Sequence, residues 1–172
     1  MTSLSRRAAV GASAAVLAAT GVTAGATQAQ ASEGGRASSV VPNCQVSDLH
    51  LSIGQVTAGA GSIFVPIQFQ NVNPHNCVMR GYPGVIALDS GKRPISFLAR
   101  PNHQVVTTVT VRTGHKAFAT IRTGNRGVVR RCHHPSAFLR VFPPGAGNSA
   151  LVTYRLRICG IFEISPVSLT PP

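Results

Sequence analysis

Six histidines and only four carboxylates are the side chains from which this 172-residue chain would have to build acid–base chemistry. A hydrolase triad needs a nucleophile on a constrained turn, a histidine and an orienting carboxylate. Serines are plentiful, but no G-x-S-x-G occurs. Of the acids, Glu33 lies near the N-terminus and Glu163 near the C-terminus, which leaves Asp48 and Asp89 as the carboxylates a histidine could use. Asp89 is accounted for by a hairpin loop and Asp48 by the solvent face of a strand. Glycosidase chemistry would need two of these few acids to converge within several ångströms, and nothing in their spacing brings that about. Gly59-Ala60-Gly61 is not followed by the Gly-Lys-Ser/Thr of a phosphate loop, and four acids do not furnish a calcium cage of the EF-hand kind. The expectation is a protein that is not an enzyme. The alternative is a small secreted hydrolase using a histidine with Asp48 or Asp89.

Metal binding is the second chemistry to weigh. Cys132-His133-His134 and His75-x-Cys77 bring ligand types together, yet no C-x-x-C or C-x-x-H pair occurs, so zinc spacing is missing. The plainer reading of His133 and His134 is a polar turn beside a disulfide, ended by Pro135. No metal and no cofactor is expected; a His-based extracellular metal site through His75, His133 and His134 is kept as an alternative.

Arginine is the strongest surface signal. The chain carries 16 Lys+Arg against 4 Asp+Glu, a net charge of +12. Arg122, Arg126, Arg130 and Arg131 surround one loop next to His133 and His134, while Arg140, Arg155 and Arg157 alternate with apolar residues on later strands and should point outward as a stripe. Such a surface attracts anionic polymers, with binding that weakens as salt rises. Nucleic acid fits poorly, because the aromatic residues occupy core-facing positions and no RNA-binding signature is present. Anionic cell-envelope polymers, anionic lipid headgroups or a secreted protein are the partners that suit the compartment. The competing explanation is that the charge serves solubility alone.

The compartment is read from the N-terminus. Arg6 and Arg7 form a positive n-region, Ala8 to Val22 is apolar and uncharged, and Ala29-Gln30-Ala31 is an A-x-A cleavage signal. Residues 1–31 are expected to be a signal peptide, of the general secretory kind rather than the twin-arginine kind that Ser5-Arg6-Arg7 invites. The apolar stretch is too short and mild for a membrane span, and no later stretch is a candidate. Without Arg6 and Arg7 the balance is 14 bases to 4 acids, or +10. Residues 32–43 form a small, polar leader, and residues 44–172 a single domain large enough for a real core. Cys44, Cys77, Cys132 and Cys159 all lie beyond the signal, an even number that reads as two disulfides in an exported chain. Of three connectivities, Cys44–Cys77 and Cys132–Cys159 keep each bridge within one half of the chain.

The elements that must position these residues are strands. Leu49, Leu51 and Ile53 alternate with polar residues, as do Ile63, Val65, Ile67 and Phe69. Further strands are expected at Val85–Leu88, Ile95–Ala99, Val105–Val111, Ala117–Ile121, Phe138–Phe142 and Leu151–Ile158, with a Pro-limited edge strand at Phe162–Val167. Asp89-Ser90-Gly91-Lys92 should be a hairpin loop with Gly91 supplying positive φ. About eight short strands with regular turn signals and no helical period predict an all-β fold, an immunoglobulin-like antiparallel β-sandwich.

One resemblance covers residues 44 to 167. Cys44 with Asp48-Leu49, Phe69 and Asn71 before Cys77, Gly81-Tyr82-Pro83-Gly84-Val85 with Gly91, Gly114 and Ala117, Cys132 with Leu139-x-Val141-x-Pro143-Pro144-Gly145, and Cys159 with Pro166-Val167 stand in an order that resembles an actinobacterial secreted family known as domain of unknown function 4232. The resemblance implies an exported β-sandwich with the two disulfides paired as above, structural roles for Tyr82 and the glycines around it, and no catalytic residues. Many members look like lipoproteins or carry long linkers; this chain has no cysteine at its cleavage point. An inhibitor loop at Val78-Met79-Arg80 is a further idea, set against the ordinary one of a loop beside a disulfide.

Overall fold

Period-two alternation of branched and polar residues gives each strand one apolar side, and the folded chain buries those sides against one another. The computed structural model describes residues 40–171; the expected signal segment and the leader as far as residue 39 lie outside the described residues. Eleven strands form: β1 Leu49–Ile53, β2 Thr57–Gly59, β3 Ser62–Asn71, β4 Cys77–Arg80, β5 Gly84–Leu88, β6 Arg100–Pro101, β7 Thr108–Val111, β8 Lys116–Gly124, β9 Phe138–Phe142, β10 Ala150–Thr153 and β11 Phe162–Ile164. The largest sheet runs β1-β3-β8-β11-β6 with β2 hairpinned onto β3; a second runs β10-β9-β5, and β4 pairs with β7. Pairing is antiparallel except between β6 and β11. Among the described residues no helix is long and apolar enough to cross a membrane.

Large residues meet small ones across the central ladder. Ile67 stands opposite Ala119 and Phe69 opposite Ala117, with Val65 opposite Ile121, so the inner face of β3 and β8 is filled without overcrowding. These six join Val85, Ala87, Leu139 and Val141 of the second sheet and Met79, Val109 and Val111 of the β4–β7 pair in one buried cluster. Each large apolar side chain so buried stabilises the fold by about 1.5–3 kcal/mol. The disulfides pair as expected, Cys44–Cys77 and Cys132–Cys159. The first ties the start of the domain to β4, beside which Val78 N donates to Pro42 O and Cys44 N to Val78 O.

Several expected strands are interrupted, each for a local reason. Residues 95–99 run beside β5 without forming a strand: Ile95 N donates to Ala87 O and Ala99 N to Val85 O, so four steps of chain span two steps of β5. The Ser96 hydroxyl takes the place of the missing carbonyl, accepting from Ala87 N at 3.0 Å, and the surplus residues bulge outward. Residues 105–107 extend past the end of β4, where Gly81 at φ +110° turns the chain away, and they have no partner. The segment after β10 stops pairing regularly because Pro135 interrupts the opposite chain; Ser136 bridges the gap, its Oγ donating to Tyr154 O and accepting from Leu156 N. The last strand is not an edge. β11 lies between β8 and β6, and Pro166 ends it. In the 89–92 loop the positive φ belongs to Lys92 (61°), not to Gly91, because Asp89 O accepts from Lys92 N and the loop closes there. Val78-Met79-Arg80 lies in β4 with Met79 fully buried, which removes the inhibitor loop.

Candidate functional site

Both ordered aspartates serve the backbone. Asp48 sits not on a strand but in a 3-10 turn at Val46–Asp48. Its carboxylate accepts from Gln45 N at 2.7 Å and from Asn73 Nδ2 at 2.8 Å. His75 lines the same depression as Asp48, but its backbone N and ring Nδ1 are bonded to Asn73 Oδ1, so an amide stands between the histidine and Asp48. Asp89 accepts from Arg93 N and Arg93 Nε; the backbone bond from Arg93 is the main reason its carboxyl is held below the ordinary aspartate range. Among the described residues, every buried side-chain nitrogen and oxygen has a hydrogen-bond partner, and no three His, Cys, Asp or Glu are grouped to hold a metal ion. His75 stands by the Cys44–Cys77 bridge, whereas His133 follows Cys132 at the other bridge.

The arginines fall into separate places. Arg126, Arg130 and Arg131 are exposed on the loop that follows β8. That loop folds back on the domain end: Val129 N donates to Asn125 O, and Gly160 N to Arg131 O. Gly124 permits the closure, since a Cβ there would lie 2.6 Å from Cys159 O. Arg157 joins this end by donating to His133 O at 3.4 Å. Arg122 faces out from β8, held by Ser62 Oγ at 3.2 Å and by Glu163 at 3.5 Å. Arg140 stands between Ile86 and Leu151 on the outer face of the second sheet, and Arg155 lines a shallow depression with Asp89 and Thr153. Of the seven, Arg126, Arg130, Arg131 and Arg157 share one end, and after β10 exposed Arg155 and half-buried Arg157 alternate with buried Leu156 and Ile158. Only Arg93 and Arg122 meet a carboxylate among the described residues, so the cations of that end remain uncompensated.

Two open grooves meet at Glu163. One, of ≈ 670 Å³, lies on the outer face of the large sheet, with Phe64, Thr120, Arg122 and Gln104 in its lining. The other, of ≈ 230 Å³, lies between residues 96–100 and 158–163 and is lined by Phe97, Leu98, Arg100, His133 and Ile161 as well as Glu163. Sequence reasoning missed this second groove. Ile95–Ala99 reads as an ordinary strand, and only Pro94 and the serine at 96 hint that pairing would break there.

A family model described as "Domain of unknown function (DUF4232)" matches residues 44–167. No curated protein matches the chain. Among solved structures, a β-glucosidase from Kluyveromyces marxianus is similar at 13% identity and a TM-score of 0.35, over 68% of this chain and 14% of that one. A β-glucosidase from Listeria innocua in complex with isofagomine is similar at 14% identity and a TM-score of 0.30, over 66% of this chain and 16% of that one. The chain spans about a seventh of the length of these enzymes, and the likeness carries nothing about activity.

Proposed function

The chain belongs to the DUF4232 family, and from that premise we propose that it is an exported, non-catalytic binding domain retained by its basic end on the anionic exterior of the cell envelope. The observation that carries this is the loop of Arg126, Arg130 and Arg131, exposed and without a carboxylate partner among the described residues. Uncompensated cations on one end create a field that collects phosphate- or carboxylate-bearing polymers or headgroups and is screened over ~8–10 Å at ordinary salt. The disulfides suit an oxidising exterior. The non-catalytic reading is supported by the aspartates, which are engaged with backbone and side-chain donors instead of a histidine. Cell fractionation at graded salt tests the proposal. The protein should stay with the envelope at low ionic strength and move to the medium as salt is raised; full release at low ionic strength would refute retention by charge.

A further inference from the structure

Phe97 is 90% exposed and its neighbour Leu98 54%, on the bulge that Ser96 creates beside β5. Exposed phenylalanine at the crest of a bulge is costly to solubility and asks for an occupant. Ile161, also exposed, lines the same groove as these two. Arginines stand around this apolar crest: Arg100 lines the groove, Arg131 O accepts from Gly160 N next to Ile161, and Arg157 donates to the backbone oxygen of His133, which also lines the groove. The one carboxylate that lines the groove, Glu163, is paired with Arg122.

We infer that this end docks on an anionic lipid bilayer, with Phe97 and Leu98 entering the headgroup–acyl boundary while Arg100, Arg131 and Arg157 meet lipid phosphates. The inference rests on the electrostatic reading above and narrows its target: a polyanion in water satisfies the arginines alone, whereas a bilayer satisfies the protruding apolar residues as well. Exposed Phe97 and Leu98 beside Arg100, with the groove's carboxylate Glu163 already paired with Arg122, match a charged surface with an apolar interior.

The chain contains no tryptophan, so Phe97→Trp provides a single local reporter. The full chain carrying Phe97→Trp is mixed with vesicles of phosphatidylglycerol and phosphatidylcholine, with vesicles of phosphatidylcholine alone, and with soluble poly(glycerol phosphate). The expected result is a blue-shifted emission, quenched by lipids brominated on the acyl chain, only with the anionic vesicles. In otherwise wild-type protein Phe97→Ser should weaken vesicle partitioning about tenfold and leave poly(glycerol phosphate) binding unchanged. Binding to anionic vesicles and to the polymer without a shift or quenching would overturn the insertion while leaving the electrostatic reading standing. Binding to none of the three at low salt would overturn both. A blue shift that grows with protein concentration in the absence of lipid would assign the crest to a second copy of the chain and overturn the inference.

Discussion

Replacing Asn71 with alanine should unlock one end of the sandwich. Asn71 ends β3 with its side chain wholly buried. Its Nδ2 donates to His75 O and to Val111 O, both at 2.9 Å, and its Oδ1 accepts from Asn73 N at 2.9 Å. One amide thus joins β3 to the loop before β4 and to the end of β7. Alanine leaves two carbonyls and one N–H without that partner. The bond to Val111 is in a buried setting, where the unpaired carbonyl bears its full desolvation cost, while the other two are partly reachable by water. The sum comes to about 3 kcal/mol, or roughly 10 °C in the melting temperature of a domain of this size. Asn73→Ala is the internal comparison: its bonds to Asp48 and His75 are at partly buried or exposed positions, and its loss should cost about 1 kcal/mol or less. Urea unfolding of the two variants measures both values. Equal midpoints, or an Asn71→Ala cost under about 1 kcal/mol, would refute the idea that this amide locks the end.

Removing either disulfide should be more damaging than any surface change. For sequence separations of 33 and 27, the chain-entropy model gives about 3.5 kcal/mol for each bridge, to be read from paired Cys→Ser variants by denaturant unfolding. Gly124→Ala should cost about 2–3 kcal/mol because the new methyl group meets the Cys159 carbonyl and Val129. Gly59→Ala, with nothing near its Cβ position, should change stability by less than about 0.5 kcal/mol. The Asp89 carboxyl is lowered mainly by the Arg93 backbone bond, so its contribution is complete above the ordinary aspartate value and is lost as pH falls through its lower folded value; a carboxyl-carbon NMR titration should place its midpoint below that of free aspartate. Tyr154 is raised by burial, so its contribution holds below the free tyrosine value and is lost as pH rises through the folded one, which absorbance titration of the phenol reads directly.

The sandwich was legible wherever alternation acted alone. β1, β3, β8 and β9 lie where Leu49 to Ile53, Ile63 to Phe69, Ala117 to Ile121 and Phe138 to Phe142 alternate, because a half-buried strand must repeat every two residues. What alternation does not encode is whether a partner strand is present. Val105 belongs to a β-branched run that outreaches β4, and it stays 85% exposed. Side chains that replace backbone groups were equally invisible: Ser96 and Ser136 read as ordinary polar residues, yet each carries a hydrogen bond that a neighbouring backbone could not make. The basic loop was visible because Arg126, Arg130 and Arg131 are close in sequence. Phe97 and Arg100, about thirty residues earlier, line a groove with His133, which follows that loop, and are brought there only through pairing with β5 and β11.

Retention by the basic end is tested most directly by the salt dependence of binding to purified poly(glycerol phosphate), measured for the wild-type chain and for Arg126→Ser/Arg130→Ser/Arg131→Ser. If these arginines meet the polymer, the slope of log K against log salt becomes shallower by about 2 in the variant, near 0.7 for each arginine–phosphate pair removed, with the urea midpoint unchanged. Identical slopes and affinities would leave the three arginines as solubility charge and contradict the account.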